Sequence, residues 1–226
     1  MRYLLSLVIV LFISTCAKAD FYSLCIGTNA DPDAISTKKY NCVFNKDAVV
    51  MSKMLKKKGA KTKLLYGWVG KEDIYAEVEK LSKRATANDT TFIFFSMHGD
   101  TRPDDFALIT HDGSASGKKV ICLASKIKGR VIIAADTCCA GAILKCNAKN
   151  VLLIGSSKED QSAYWIEHLP KREPCGYLTR PLYTVFSKTL NPTIDDIANE
   201  MNKIVAPKQT LWYNSPSPES VLAVSK

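Results

Sequence analysis

Two runs of apolar residues without polar alternation stand out along the chain. Residues 131–135 are entirely apolar, and residues 90–95 combine threonine, isoleucine and phenylalanine. Such runs are typical of strands that are buried on both faces of a parallel sheet. Shorter runs of β-forming residues predict further strands over 21–27, 62–66, 106–110, 151–155 and 209–213.

Between the strands, apolar residues recur at the spacing of amphipathic helices. Ile74, Val78 and Leu81 form one such stripe, and Asp196 stands three residues after Thr193, as in a capping box. Helices are predicted over 46–58, 72–84 and 176–189 and from 192 onwards, with one helical turn within 120–126 and a loop over 114–119. This alternation predicts a three-layer α/β sandwich with a largely parallel central sheet.

The first 19 residues have the pattern of a signal peptide. Arg2 supplies the positive start, residues 4–13 the apolar segment and Ala19 the end of an A-x-A cleavage site. The apolar segment is shorter than the roughly 20 residues that span a bilayer. Residues 20–226 then form one exported domain, secreted or periplasmic, without stable membrane insertion. A lipoprotein signal at Cys16 is the weaker alternative.

Charge and cysteine content narrow the picture. Of the 31 Lys and Arg residues, Arg2 and Lys18 fall in the leader, which leaves 29 against 22 Asp and Glu, a net charge of +7. No nucleic-acid recognition motif accompanies this charge, so we expect a solvated basic surface and no nucleic-acid partner. Eight cysteines less Cys16 leave seven, an odd number. An exported chain tends to oxidise its thiols, so at least one cysteine stays free or pairs outside the chain.

The two most apolar strands each end in a residue that carries chemistry. Residues 90–95 continue into Ser-Met-His-Gly, which contains His98, and residues 131–135 continue into Asp-Thr-Cys, which ends at Cys138. Open α/β sheets build their sites at the carboxyl ends of strands. If the two strands are neighbours, the thiol and the imidazole meet, and they form the minimum pair for a cysteine nucleophile with a proton carrier.

These segments resemble the paired motifs of the caspase-like peptidases. S-M-H-G around His98 and D-T-C-C-A-G around Cys138 are similar to S-G-H-G and D-x-C-x-S-G of the metacaspases, whereas the caspase signature Q-A-C-[RQG]-G is absent. The resemblance covers nearly all of the chain after the leader. It implies a caspase-like sandwich and cysteine endopeptidase activity on protein or peptide substrates. Independently of the resemblance, no cofactor is expected.

The resemblance also assigns catalytic roles. Cys138 is the nucleophile, His98 transfers the proton, and the backbone N–H groups of Gly99 and Cys138 bind the oxyanion. Cys139 is the alternative nucleophile, with less weight because it matches a variable position of the motif. The other two histidines do not follow a strongly apolar strand.

A substrate preference follows from the acidic residues near the motif. A carboxylate two residues before the nucleophile favours a cationic substrate side chain. In the metacaspases, positions matching Asp136, Asp47 and Ser96 shape a pocket for Arg or Lys, and Ser156 matches a strand end that lines the groove. The alternatives are a helix N-cap role for Asp47 and a role for Asp136 as acceptor of loop amides. A preference for another residue, such as Asn, also stays open.

Some features depart from the family pattern. Met97 replaces the glycine before His98, and the segment between His98 and Cys138 is short. This segment offers few carboxylates, so no calcium site is expected, and no paired C-x₂-C motif indicates zinc. The departures keep open a catalytically silent caspase-like module that binds a partner.

The long polar segment 158–175 is predicted to be a functional loop. It contains the dibasic pair Lys171-Arg172, which an enzyme with Arg or Lys preference can cut in its own chain. The alternative is a solvated loop whose charges only aid solubility. A disulfide to Cys175 is a further expectation. Its partner would be Cys25, Cys42 or Cys146.

Overall fold

The computed structural model describes residues 19–28, 43–146, 148, 150–166, 173–189, 192–204 and 209–214. Strands and helices alternate through most of these ranges. In chain order the elements are β1 (Phe21–Thr28), α1 (Val43–Lys57), β2 (Lys61–Tyr66), α2 (Lys71–Arg84), β3 (Thr90–Met97), β4 (Gly99–Arg102), β5 (Asp105–Thr110), β6 (Gly113–Ser116), α3 (Gly117–Ala124), β7 (Arg130–Asp136), a 3₁₀ helix (Ala140–Cys146), β8 (Val151–Gly155), α4 (Thr179–Lys188), α5 (Ile194–Ile204) and β9 (Trp212–Tyr213).

The main sheet has the strand order β2-β1-β3-β7-β8-β9. Its first five strands are parallel, and β9 joins β8 in the antiparallel direction. The two most apolar strands, β3 and β7, are therefore direct neighbours. Their register pairs Ser96 with Asp136, so His98 and Cys138 each lie two residues beyond this last pair.

Helices cover both faces of the sheet, which confirms the predicted three-layer α/β sandwich. Side chains of β3 alternate between the layers: Ile93 and Phe95 pack with α2 and α3, and Phe92 and Phe94 pack with α1, α4 and α5. All four are fully buried. Burial of each such side chain stabilises the fold by about 1.5–3 kcal/mol, so β3 is firmly anchored between the two helical layers.

The helix termini follow local chemistry, with one correction. The N–H of Asp196 donates to Thr193 Oγ1 and the N–H of Thr193 donates to Asp196 Oδ2, which confirms the capping box. Helix α1 begins at Val43, three residues earlier than predicted. Asp47 therefore lies inside the helix, and its alternative role as the N-cap is wrong.

A second, antiparallel sheet of β4, β5 and β6 was not predicted. Residues 114–119, expected to be a loop, form the end of β6 and the start of α3. The strands G-D-T-R and G-S-A-S contain almost no apolar residues, so their sequences lack a periodic signal. Backbone pairing with β5 forms them instead.

Several expectations fall on residues outside the described ranges. These are the signal peptide up to residue 18, the lipoprotein signal at Cys16, Cys42 as a disulfide partner of Cys175, and the dibasic pair 171–172. In the part of the chain that the structure describes, no helix is long and apolar enough to cross a membrane. The six described cysteines are all free thiols, so the expected disulfide from Cys175 to Cys25 or Cys146 is not formed.

Candidate active site

A cavity of about 70 Å³ opens at the carboxyl ends of β3 and β7. One wall consists of residues at and just beyond the ends of these strands and includes the predicted residues Ser96, His98, Asp136 and Cys138. The opposite wall consists of Ala163, Tyr164 and Trp165, which belong to a segment that we call the strap, residues 161–166. Asp47 and Phe44 reach the cavity from α1. Five predicted site residues thus share one cavity.

The backbone turns sharply after β7, directly behind the thiol. Cys139 has a φ of 56°, in the left-handed region that non-glycine residues rarely adopt. Two backbone hydrogen bonds hold this conformation: Cys139 N–H donates to Gln161 O at 2.8 Å, and Ala142 N–H donates to Cys139 O at 2.9 Å. The turn leaves Cys138 lining the cavity, while Cys139 packs against the core. This geometry favours Cys138 over Cys139 as the reactive thiol.

Ser156 supports this turn from behind, which differs from the predicted role in the substrate groove. It is fully buried and does not line the cavity. Thr137 N–H donates to Ser156 Oγ at 3.2 Å, and the hydroxyl of Ser157 donates to Thr137 O at 3.0 Å. Ala140 N–H in turn donates to Ser157 Oγ at 3.0 Å. The two serines therefore fix the backbone on both sides of Cys138.

His98 connects the end of β3 to the start of β4. Its ring meets the ring of Phe44 edge-on at a centroid distance of 4.8 Å. Ile109 N–H donates to His98 O at 3.0 Å, so Gly99 and Leu108 form a non-hydrogen-bonded pair of the β4–β5 ladder. The N–H of Gly99 is therefore not used by that ladder.

Gly99 packs closely against the nucleophile turn. A Cβ at this position would lie 2.5 Å from Cys138 O and 2.8 Å from Thr137 Oγ1. Contacts below 3.0 Å force a displacement, so only glycine permits this approach. The two backbones that were predicted to form the oxyanion hole are thus in direct contact.

Asp47 and Asp136 form a buried acidic pair on either side of Gly176. Their side chains are 1% and 4% exposed. Asp47 accepts the N–H groups of Cys175 and Gly176 at 2.7 and 2.8 Å. Asp136 Oδ2 accepts the hydroxyl and N–H of Thr179, at 2.6 and 2.8 Å, at the start of α4. Asp136 therefore accepts loop amides, as its alternative role required, and also lines the cavity.

Both carboxyl groups hold their protons more tightly than ordinary aspartates. Burial raises the pKa of Asp47 to about 7, and the nearby charge of Asp136 acts in the same direction. Burial also raises the pKa of Asp136, although hydrogen bonds from Thr179 and Leu178 oppose the shift. At neutral pH Asp47 is therefore at the edge of ionisation, and a cation in the cavity would favour the charged form of either carboxyl group.

The sequence patterns did not identify which residues of the strap belong to the site. Ala163 N–H points at the thiol, 3.3 Å from Cys138 Sγ. Further along, Ile166 N–H donates to Cys175 O at 2.8 Å, and Trp165 pairs with Gly176 in an antiparallel bridge. The only sequence signal was a long, aromatic-bearing segment, which predicted a functional loop without naming residues.

Within the described ranges, no group of three metal-ligating side chains converges.

Comparison with known proteins identifies the fold. No protein-family model and no curated protein sequence matches the chain. The structure is similar to that of caspase-1 from Spodoptera frugiperda, with 14% identity, a TM-score of 0.68 and coverage of 90% of this chain and 91% of that chain. It is also similar to the protein GSU0716 from Geobacter sulfurreducens, with 18% identity, a TM-score of 0.66 and coverage of 88% and 95%. These similarities establish a caspase-like fold, whereas the narrower resemblance to metacaspases stays a prediction.

Proposed function

We propose that the protein is a cysteine endopeptidase in which Cys138 is the nucleophile and His98 carries the proton. The observation that supports this most directly is the β3–β7 register. It pairs Ser96 with Asp136, so His98 and Cys138 each follow that pair by two residues at the same edge of the sheet. Both also line the same cavity. The caspase-like fold of the solved relatives agrees with this assignment.

The proposed reaction proceeds through an acyl-enzyme. His98 takes the proton of the Cys138 thiol, and the thiolate Sγ then attacks the substrate carbonyl carbon while the carbonyl π electrons move to the oxygen. The N–H groups of Gly99 and Cys138 stabilise this oxyanion, a contribution of about 10²–10³ in rate for one donor. When the C–N bond breaks, His98 gives its proton to the leaving amine. Water, deprotonated by His98, then hydrolyses the thioester and releases the acid and the free thiol.

We further propose cleavage after Arg or Lys. Asp47 and Asp136 supply two carboxyl groups beside the nucleophile, and Ser96 adds a hydroxyl to the same cavity. A guanidinium or ammonium group is the natural counterpart of such a pair. We extend this proposal to a metacaspase-like enzyme that is exported and cuts its own loop. The extension rests on the family resemblance, the predicted signal peptide and the dibasic pair 171–172.

A specific contact favours a second candidate function, a silent caspase-like module that binds a partner. Ala163 N–H donates a hydrogen bond to Cys138 Sγ at 3.3 Å, and Gly176 lies between the two carboxyl groups of Asp47 and Asp136. A substrate must displace or fit beside both segments. If neither moves, the fold is retained and catalysis is not.

Cleavage of fluorogenic peptides by the purified protein separates the two functions. The peptides differ only in the residue before the scissile bond, which is Arg, Lys, Asn or Asp. The peptidase predicts turnover of the Arg and Lys peptides that Cys138→Ala removes. Turnover of the Asn or Asp peptide alone contradicts the preference, and no turnover of any peptide supports the silent module.

A further inference from the structure

Gln209 lies in the segment that follows α5, far in sequence from the cavity. It is 8% exposed, and both ends of its amide are engaged. Tyr164 N–H donates to Oε1 at 2.8 Å, and Nε2 donates to Ser156 O at 2.9 Å. Because one partner is a donor and the other an acceptor, they fix the orientation of the amide.

The two partners of Gln209 belong to opposite sides of the cavity. Tyr164 is part of the strap. Ser156 bonds through its hydroxyl to both the N–H and the carbonyl of Thr137, the residue before the nucleophile. Gln209 therefore joins the strap to the turn that carries Cys138. At the start of the strap, Cys139 N–H donates directly to Gln161 O at 2.8 Å and Thr210 N–H donates to Gln161 Oε1 at 3.2 Å, so Gln209 is the link that acts at Tyr164, further along the strap.

We propose that Gln209 is a positioning residue that sets the separation between the strap and the nucleophile turn. It does not line the cavity, so it acts through Tyr164 rather than on the substrate. This inference rests on the proposed peptidase function. Without the amide, the N–H of Tyr164 and the carbonyl of Ser156 lose buried partners, and the strap settles in a different place.

The chain offers a matched control in the same segment. Asn214 uses the same chemistry: Leu153 N–H donates to its Oδ1 at 2.7 Å, and its Nδ2 donates to Val151 O at 2.9 Å. It therefore links the segment to β8, as Gln209 does, but makes no such link to the strap. Asn214→Ala should reproduce any general loosening of this segment and spare the cavity.

The first test is steady-state kinetics on an Arg peptide. Gln209→Ala should raise KM about tenfold with little change in kcat, because the strap loses the hydrogen bond at Tyr164 while the hydroxyls of Ser156 and Ser157 still hold the nucleophile turn. Asn214→Ala should leave KM unchanged. Equal KM values for wild type and Gln209→Ala, or equal rises in both variants, overturn the proposal.

The second test does not depend on catalysis. Hydrogen exchange of the Tyr164 amide should be faster in Gln209→Ala than in wild type or Asn214→Ala. Gln209→Glu keeps the acceptor for Tyr164 but sets a carboxylate oxygen against Ser156 O, and it covers the case in which the alanine variant does not fold. If the wild type cleaves no peptide, the peptidase proposal fails. If Tyr164 exchanges at the same rate in Gln209→Ala and wild type, Gln209 does not hold the strap, whatever the peptidase result.

Discussion

The two walls of the cavity differ in how they are held. Ser96 and Asp136 belong to the central parallel sheet, where Ser96 pairs with both neighbouring strands, Asp136 pairs with Ser96, and both side chains are buried. The strap, by contrast, has Tyr164 and Trp165 exposed at 47% and 40%. It is attached by scattered hydrogen bonds, among them those of Gln161 to Cys139 and of Tyr164 to Gln209, and by an isolated bridge at Trp165 rather than by a continuous ladder.

This difference separates two tasks. Segments with few buried contacts open at lower free energy than core strands. On the proposed function, we expect the wall that carries Cys138 and His98 to keep its geometry and the strap to adjust when a peptide enters. Substitutions on the sheet wall should change kcat, and those on the strap should change KM.

The largest expected effect lies on the sheet wall. Cys138→Ala and His98→Ala should each lower kcat/KM by about 10³ or more, because the nucleophile or the proton carrier is lost. Cys139→Ala, at the adjacent thiol, is the matched control and should retain most of the activity. Full turnover by Cys138→Ala with loss in Cys139→Ala would show that the nucleophile is misassigned.

The second effect concerns the contact between the two strand-end backbones. Gly99→Ala should lower kcat by about 10²–10³, because its Cβ would lie 2.5 Å from Cys138 O and displace an oxyanion donor. Gly59→Ala is the control, since Gly59 has a φ of 89° in a turn with no atom near the added carbon. It should cost stability alone, measured by thermal unfolding, and an equal loss of kcat in both variants would contradict the proposed role.

The third effect moves to the strap side. Gly176→Ala places a Cβ against Asp136 Oδ2 and 2.8 Å from Asp47 Oδ2. It should raise KM for Arg peptides about tenfold or more by forcing the acidic pair apart, with a smaller change in kcat. Cys175→Ala keeps both backbone donors to Asp47 and should leave KM near the wild-type value. If the two variants behave alike, the acidic pair does not bind the substrate.

The smallest effect is a pH dependence of the preference. Because burial raises the pKa of Asp47 to about 7, this residue loses its proton between pH 6 and pH 8. The advantage of an Arg peptide over its neutral citrulline analogue, as a ratio of kcat/KM, should rise about threefold over this range. Asp47→Asn should flatten the profile. A wild-type ratio that is constant with pH would show that the charge behind the Arg preference does not belong to Asp47.

The same shift determines the sign of a stability trend. The folded pKa of Asp47 lies above the ordinary value for aspartate, so the folded state binds more protons between about pH 4 and pH 7. The contribution of Asp47 to the free energy of unfolding is therefore present at acidic pH and falls as the pH rises through 7. Urea unfolding at pH 5 and pH 8, in wild type and Asp47→Asn, measures this difference.

The parts of the molecule that depend on local patterns could be predicted from the sequence. The apolar runs of β3 and β7, their polar ends and the Thr193–Asp196 capping box are all local signals. The strap is different, because Tyr164 and Gln209 are 45 residues apart and interact through one side chain, which leaves no periodic pattern. The start of α1 was missed for a related reason, since contacts with the end of β1 at Gly27 position Phe44.

The central claim is that Cys138 is a thiol activated by His98 at this cavity. Limited alkylation with iodoacetamide, followed by mass spectrometry of each cysteine, tests it directly, with the exposed Cys122 as an internal reference. We predict that Cys138 reacts faster than Cys122 in the wild type and that His98→Ala removes this difference. A Cys138 that reacts no faster than Cys122, or that keeps its rate in His98→Ala, would contradict the account.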